Sequence, residues 1–328
     1  MAILTSYDLR GKKDSFASWI SNLSPTDTYF VSVTKKEQVQ NTLFQWQTDS
    51  LAAADTGNAQ VESDNAIAKA RKSTTVHTNV TQILRKAVEV SDTADALSNW
   101  GRGKELAYQM ELAGKEIKRD LEAILLLENN AGSGNKQTGT VGAKNDATAP
   151  TATNARKTRS FGDLVGMGAD GKTADTDTGA VVVADHSAAD LTEKNLFDMT
   201  YQLYLAGSDA NVIMFHPSYA SFFSSLMETG ATRQKLIGNM ETELNKFVGS
   251  VIDPLGQQFQ LVPNRFMPKK AIYIFNPNNW TQMVLREPQK VQLAKKGSSE
   301  RYMIEMELGL RHSNPYASAV LKVKEITA

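Results

Sequence analysis

The longest unbroken periodic stretch of the chain runs from Arg102 to Asn130, RGKELAYQMELAGKEIKRDLEAILLLENN. Leu106, Met110, Ala113, Ile117, Leu121 and Ile124 recur at steps of four and three, which lays one apolar stripe along a helix. Helix formers dominate, Pro is absent, and Glu111 stands four residues before Lys115 in the favourable orientation. At about 1.5 Å per residue the stretch predicts a rod of roughly 43 Å. Asp95 or Ser98 is the expected cap at its start, and Asn129 to Gly132 the expected stop.

Upstream of the rod the period shortens. Phe16, Trp19, Ile20 and Leu23 share one face of a short helix that Ser24-Pro25 should end, and Tyr29, Val31 and Val33 then alternate as a brief strand. In NTLFQWQT, Thr42, Phe44, Trp46 and Thr48 fall on one strand face and Gln45 and Gln47 on the other. From Thr74 to Val90, Val76, Thr78, Val80, Gln82 and Leu84 alternate against His77, Asn79 and Thr81. The residues between, Asp49 to Ser73, are rich in Ala, Asp, Asn and Lys. The pattern predicts a long two-stranded hairpin with a polar tip. An isolated hairpin is marginal in water, and this one carries few large apolar groups, so it is expected to lie as an arm on a neighbouring surface.

Downstream, residues 131–190 hold nine of the 21 glycines and one aromatic residue, Phe161, and read as loops with short strands at Phe161 to Val165 and Ala180 to Val183. Order returns at Thr192. Leu196, Met199 and Leu203, with Phe197 and Tyr204 beside them, mark an amphipathic helix that Gly207 can close. Asn211 to Phe215 reads as a buried strand, and Pro217 opens a helix carrying Phe222, Phe223, Leu226 and Met227. Strands are expected at Gln258 to Val262, Ala271 to Phe275 and Thr281 to Leu285. A final antiparallel pair, Arg301 to Leu310 and Ala317 to Val323, is expected to turn at His312-Ser313-Asn314-Pro315. The predicted class is α+β.

Composition narrows the function. Lys plus Arg and Asp plus Glu stand at 36 each, so there is no bulk electrostatic pull on nucleic acid or membrane. Cysteine is absent, which excludes disulfides, thiolate catalysis and Cys-ligated zinc together. No apolar run approaches the roughly 20 residues of a membrane helix, and MAILTSYDLRGKKDS lacks a signal peptide's apolar core. A soluble protein made in a cytoplasm, with no membrane partner, is expected.

Candidate chemistry is sparse. Gly166 to Thr173 matches the phosphate-binding pattern G-x-x-x-x-G-K-[ST], and Val181-Val182-Val183-Ala184-Asp185 resembles a strand ending in a magnesium-holding Asp. That loop needs a helix directly after it, yet Ala174 to Ala180 are poor helix formers and leave no room for one. A nucleotide-binding protein using Lys172 and Thr173 is therefore the remote alternative. His77, His186, His216 and His312 are scattered without metal-like spacing, and His77 on a strand face points to a surface or interface role. Asp175 and Asp177 before Gly179 lack the remaining oxygens and closing Glu of a calcium loop, and no G-x-S-x-G elbow is present. Basic residues such as Arg85, Lys86, Lys118, Arg119, Arg156, Lys157 and Arg159 are dispersed. The expectation is no enzyme, no catalytic residue, no cofactor and no metal.

Several segments carry a resemblance: NLSPTDTYFVSV, QWQTDSLAAA, TADALSNWGRGKELAYQMELAGKEIKRDLEAILL, RKTRSFGDL and VPNRFMPKKAIYIFNPNNWTQMVLREPQKVQLAKKGSSE. Together with the order of elements, they resemble the major capsid proteins of tailed bacteriophages, the Hong Kong 97 fold, over nearly the whole chain. The resemblance implies an N-terminal arm (1–38), an extended hairpin loop overlapping an adjacent subunit (39–90), and a peripheral domain with spine helix and Gly-rich loops (91–189). It implies an axial domain (190–285) and C-terminal strands returning to the peripheral domain (286–328). The implied function is a structural head protein of the virion. Pentamers and hexamers of it would enclose double-stranded DNA, touched nonspecifically, after assembly in the host cytoplasm. The implied partners are copies of the chain, scaffolding and portal proteins, and a decoration protein. A cellular encapsulin-like nanocompartment of the same fold is the nearer alternative. Trp19, Leu43, Phe44 and Trp46 are the expected contact anchors between subunits, because large apolar side chains dominate interface energetics. Glu62, Asp64, Lys69, Arg71 and Lys72 are the expected rim charges that set register.

Overall fold

The structure is a computed structural model that describes residues 27–49, 51, 54–62, 74–97, 103–128, 155–165, 183–186, 191–229 and 249–324. In chain order the described elements are α1 (Tyr29–Val33), β1 (Lys35–Gln38), β2 (Leu43–Thr48), β3 (Thr75–Val80), β4 (Gln82–Ser91), α2 (Asp92–Ala96), α3 (Glu105–Leu125), α4 (Phe161–Val165) and β5 (Val183–His186). They continue with α5 (Glu193–Leu205), β6 (Val212–Phe215), α6 (Ala220–Thr229), β7 (Ser250–Ile252), β8 (Gln258–Pro263), β9 (Ala271–Phe275), β10 (Trp280–Leu293), β11 (Ser299–His312) and β12 (Ala319–Val323). Strands β1, β10, β11 and β4 form one sheet in that order, and β5, β12, β9, β6, β8 and β7 form a second. The pair β2 and β3 stands as a third sheet. The mixture is α+β, as the alternation of periods predicts.

The chain divides into two compact units. The smaller comprises residues 1–27, 85–119 and 288–305. Helix α3 contributes its first 15 residues here, with Ala113 and Ile117 of the predicted stripe buried and Leu106 and Met110 half-buried. Asp95, one of the two predicted caps, accepts a hydrogen bond from the Leu106 N–H at 3.0 Å, and Lys115 donates to Glu111 at 2.6 Å. Ser98, like Asn129 to Gly132, lies outside the described residues. The helix is shorter than expected, 21 residues or about 32 Å. The turn between β10 and β11 uses Gly297 at φ +66°, where a side chain would be strained. Ser298 O accepts from the Asp92 N–H at 3.1 Å, and Ser299 Oγ donates to Glu89 at 2.9 Å, which ties that turn to β4 and α2.

The larger unit comprises residues 28–84, 120–287 and 306–328, and its core lies on both faces of the six-stranded sheet. On one face Leu196, Met199 and Leu203 of α5, with Tyr219 and Phe223, cover Ile213, Phe215, Ile272, Ile274 and Leu321. Strand β6 is buried at every position, as a central strand covered on both faces must be. Across the other face runs a stack of four rings. Phe161 lies between Tyr273 and Trp280 with centroids 4.2 Å from each, and Trp280 stacks on His312 at 4.1 Å. Phe30 meets Phe161, Phe275 and Trp280 edge-on. The polar tips of Tyr273 and Trp280 are satisfied locally, whereas the buried Nδ1 of His312 has no hydrogen-bond partner among the described residues. Tyr273 donates to Leu126 O at 2.9 Å, and Trp280 Nε1 donates to Ser318 Oγ at 3.2 Å, which also lies 2.9 Å from His312 Nε2.

Four sequence expectations are corrected. Tyr29 to Val33 is a helix and not a strand. Its Thr28 cap makes no side-chain bond; instead both oxygens of the buried Glu122 carboxylate accept the Phe30 and Val31 N–H groups at 2.8 Å each. A carboxylate 92 residues away thus satisfies the orphan donors of the first turn. Phe161 to Val165 is also a helix, begun by Ser160, whose N–H and hydroxyl both donate to Asp163. The last two strands do not pair with each other: β11 lies beside β10 and β4, whereas β12 lies between β5 and β9. Finally, the run Thr74 to Val90 breaks at Thr81, and the residues buried up to that break are the polar His77, Thr78, Asn79 and Thr81, with Val76 and Val80 only half-buried. The predicted strand at Ala180 to Val183 is described only from Val183, where β5 begins.

Candidate assembly interface

Strands β2 and β3 pair antiparallel from Leu43↔Val80 to Thr48↔Thr75, and the Thr81 N–H adds one more rung to Thr42 O at 2.9 Å. This is the hairpin that the sequence predicts. Its base is fastened within the chain. Phe44 is buried over Gly309 of β11, where a Cβ would come 2.6 Å from the Phe44 ring and 2.9 Å from Val80 O. Only a glycine lets the hairpin sit this close, and an isolated Gly in a strand is the sequence signal for such an approach.

Polar groups complete the seat. Asn79 Nδ2 donates to Leu310 O at 2.6 Å and to Thr158 Oγ1 at 3.1 Å, while its Oδ1 accepts the Arg159 N–H at 2.9 Å. Residues 156–160 therefore run as a strut between the hairpin and β11. Thr81 Oγ1 donates to Glu307 at 2.7 Å, Arg286 Nε donates to the other Glu307 oxygen at 3.0 Å, and Arg156 pairs with the same carboxylate. Burial raises the Glu307 pKa, but the bonds from Thr81 and Arg286 and the charges of Arg156 and Arg286 outweigh it, and the carboxyl is held below its usual range. His77, buried beside the strut, bonds Thr48 Oγ1 at 2.8 Å and lies against Trp46 at 5.7 Å. Burial and then the Arg159 charge hold its pKa below the ordinary value, so it is a neutral packing group at pH 7.

The tip differs in kind from the base. Leu51 is 98% exposed and Val61 77% exposed, on turns and irregular backbone beyond the last strand pair. Among the predicted anchors Phe44 is buried in its own seat, Trp46 is half-buried and stacked on Phe44, and Leu43 is exposed. Glu62 is exposed beside Val61, whereas Trp19, Asp64, Lys69, Arg71 and Lys72 lie outside the described residues. Leu51 and Val61 are exposed large apolar residues that sequence reasoning did not single out. Two lone large apolar residues in a polar tip were the available signal.

Among the described residues, no three His, Cys, Asp or Glu side chains are grouped to hold a metal ion, and no helix is long and apolar enough to cross a membrane. The remaining histidines His216 and His312 serve a short-helix cap and the ring stack. The side chain of His186 and all of Gly166 to Thr173 lie outside what is described. What the arrangement offers is a footed hairpin whose polar tip exposes two large apolar residues, Leu51 and Val61.

A family model described as the SU10 major capsid protein matches residues 3–325. The chain belongs to that family. It is 49% identical over 346 residues to the major capsid protein of Escherichia phage Phieco32, covering 97% of this chain and 96% of that one. Among solved structures, the capsid of a native GTA particle superposes with a TM-score of 0.61 at 13% identity, covering 97% and 96% of the two chains. Mycobacterium phage Adephagia gives 0.57 at 12% identity over 100% of both. The SrpI encapsulin of Synechococcus elongatus PCC 7942 gives 0.54 at 11% identity over 97% and 94%. At such identities these likenesses establish the fold, which is Hong Kong 97-like. For a major capsid protein of this family, a component of the virion, the footed hairpin, the α3 rod and the six-stranded sheet unit are the parts of one building block. The nearer sequence relative sides with the phage reading over the encapsulin one.

Proposed function

We propose that copies of this capsid protein assemble through hexamers and pentamers into a closed icosahedral shell around double-stranded DNA, with no catalytic step. Residues 1–38 act as the arm and 39–90 as the loop that overlaps a neighbour. Residues 91–189 with α3, together with the β10–β11 strands, form the peripheral domain, and 190–285 form the axial domain. The pairing of β12 between β5 and β9 supports adding it to the axial part. Scaffolding and portal proteins assist in the host cytoplasm, and a decoration protein binds the finished surface.

One observation carries this reading: Phe44 and Asn79 seat the hairpin's base inside the chain while its tip presents Leu51 and Val61 to solvent. Large apolar groups left in solvent gain by docking on another molecule. Leu43 and Trp46 flank the docking contact, and Glu62, Asp64, Lys69, Arg71 and Lys72 set its register. The test is particle formation. Leu51→Asp with Val61→Asp, and separately Trp46→Ala, are expected to yield soluble subunits with native circular dichroism that form no shells. Normal particles from the double variant sink the proposal.

A further inference from the structure

Helix α5 carries a second apolar stripe that the core does not use. At about 100° per residue, Leu196, Met199 and Leu203 point together into the core, whereas Tyr201, Tyr204 and Leu205 cluster roughly 160° around the helix. Those three side chains are between 51% and 62% exposed. Beside them Lys194 and Asp198 pair with each other at 2.6 Å, and Glu193 stands exposed at the start of the helix. Helix α5 packs over β12. Three strands, β9, β6 and β8, separate β12 from the far edge of the sheet at β7.

That far edge holds the second patch. Ile252 is 64% exposed and Leu255 44% exposed. The turn presenting Leu255 is stiff: Asp253 Oδ1 accepts the Leu255 and Gln257 N–H groups at 3.0 and 2.8 Å, and Gly256 stands at φ +84°. Its flanking residues Ser250, Gln257 and Gln258 are neutral, and the one acid of the turn, Asp253, is buried. The two patches differ in shape, lie on different elements, and sit at different sides of one sheet.

We propose that the Tyr201–Tyr204–Leu205 flank of one copy receives the Ile252–Leu255 edge of the next, head to tail, within the ring of axial domains. The inference rests on the shell-building reading above and names the contact that closes its rings. Two unlike patches on one subunit make a heterologous contact, and repeated heterologous contacts close into rings. Their size favours the same occupant. With about 200 Å² on each large side chain, and about half of it exposed, the two patches offer roughly 500 Å² together. A stable pairwise complex needs about 1,200 Å² or more, so this contact persists only where closure repeats it.

The chain has no cysteine, which makes the test direct. Leu205→Cys and Ile252→Cys chains are assembled separately and as an equal mixture, and then treated with a short bis-maleimide. In the mixed particles, cross-linked dimer is expected at least about tenfold above the level in particles of either single variant. A Leu205→Asp chain is expected to keep its thermal midpoint while ring formation falls about tenfold or more. Shells without the 205–252 cross-link, or with 205–205 dimers instead, overturn this contact and leave the shell reading standing. A chain that forms no rings or shells at all overturns both.

Discussion

Glu122 makes the sharpest stability prediction. Its carboxylate is fully buried and accepts three donors, the Phe30 and Val31 N–H groups at 2.8 Å and Asn264 Nδ2 at 2.7 Å. Glu122→Met keeps the volume and removes every acceptor, which leaves two backbone N–H groups and one amide buried and unpaired. At about 1–3 kcal/mol for each buried donor left unsatisfied, with partial relaxation, the loss is expected near 4 kcal/mol. An unfolding entropy of about 2.1 cal/mol/K per residue turns this into a fall in melting temperature of about 6 °C. Thermal unfolding of the dissociated subunit at pH 7 reads the fall. Amide hydrogen exchange reads the cause, because Phe30 and Val31 should lose protection before the six-stranded sheet does. A Glu122→Met subunit that melts within a degree of wild type and keeps both amides protected would refute the reasoning.

The other predictions rest on single sites. Burial, with the His77 charge adding to it, pushes His312 down to about 3, below its unfolded value of 6.5. Its contribution is therefore complete above pH 6.5 and lost as pH falls from there toward 3, by up to roughly 5 kcal/mol. In His312→Phe, the pH dependence of stability between 6.5 and 4 should flatten; an unchanged slope contradicts the assignment. Glu307→Gln weakens the Thr81, Arg156 and Arg286 cluster and should cost about 2–3 kcal/mol with faster proteolysis of the hairpin at pH 7. Because the folded pKa of Glu307 is depressed, the difference from wild type is present above the ordinary carboxylate range, shrinks as pH falls below it and vanishes once pH passes the lower folded value. Gly309→Ala meets the Phe44 ring and the Val80 carbonyl and should cost about 1–3 kcal/mol, read by urea unfolding and by protease cleavage between β2 and β3.

Local pattern revealed the helices with long apolar stripes and the strands buried on one or both faces. The α3 stripe, the Asp95 cap, α5 with Gly207 at φ +76° and the β2–β3 pairing all follow from spacing and turn chemistry that neighbouring residues determine. What escaped was decided at a distance. Tyr29 to Val33 alternates like a strand, yet the Glu122 carboxylate caps it as a helix. The buried face of β3 is polar because the Thr158–Arg159 strut supplies matching donors and acceptors. Strand β12 prefers β9 and β5 because Ala319, Leu321 and Val323 fill the α5 core, which no local pattern encodes. One miss was legible: Ser160 followed three residues later by Asp163 is a helix-start signature, and it opens α4. At the interface, Phe44 was chosen for its size, but size alone does not separate a side chain that seats its own hairpin from one that meets a neighbour.

The central claim is that a single subunit is incomplete and that other copies complete it. Sedimentation velocity with negative-stain imaging of the purified full chain, alone and with a candidate scaffolding protein encoded beside it, tests this directly. The account predicts closed isometric shells with ring-shaped clusters of subunits on their surface. A monomer that persists at high protein concentration in both conditions would contradict it.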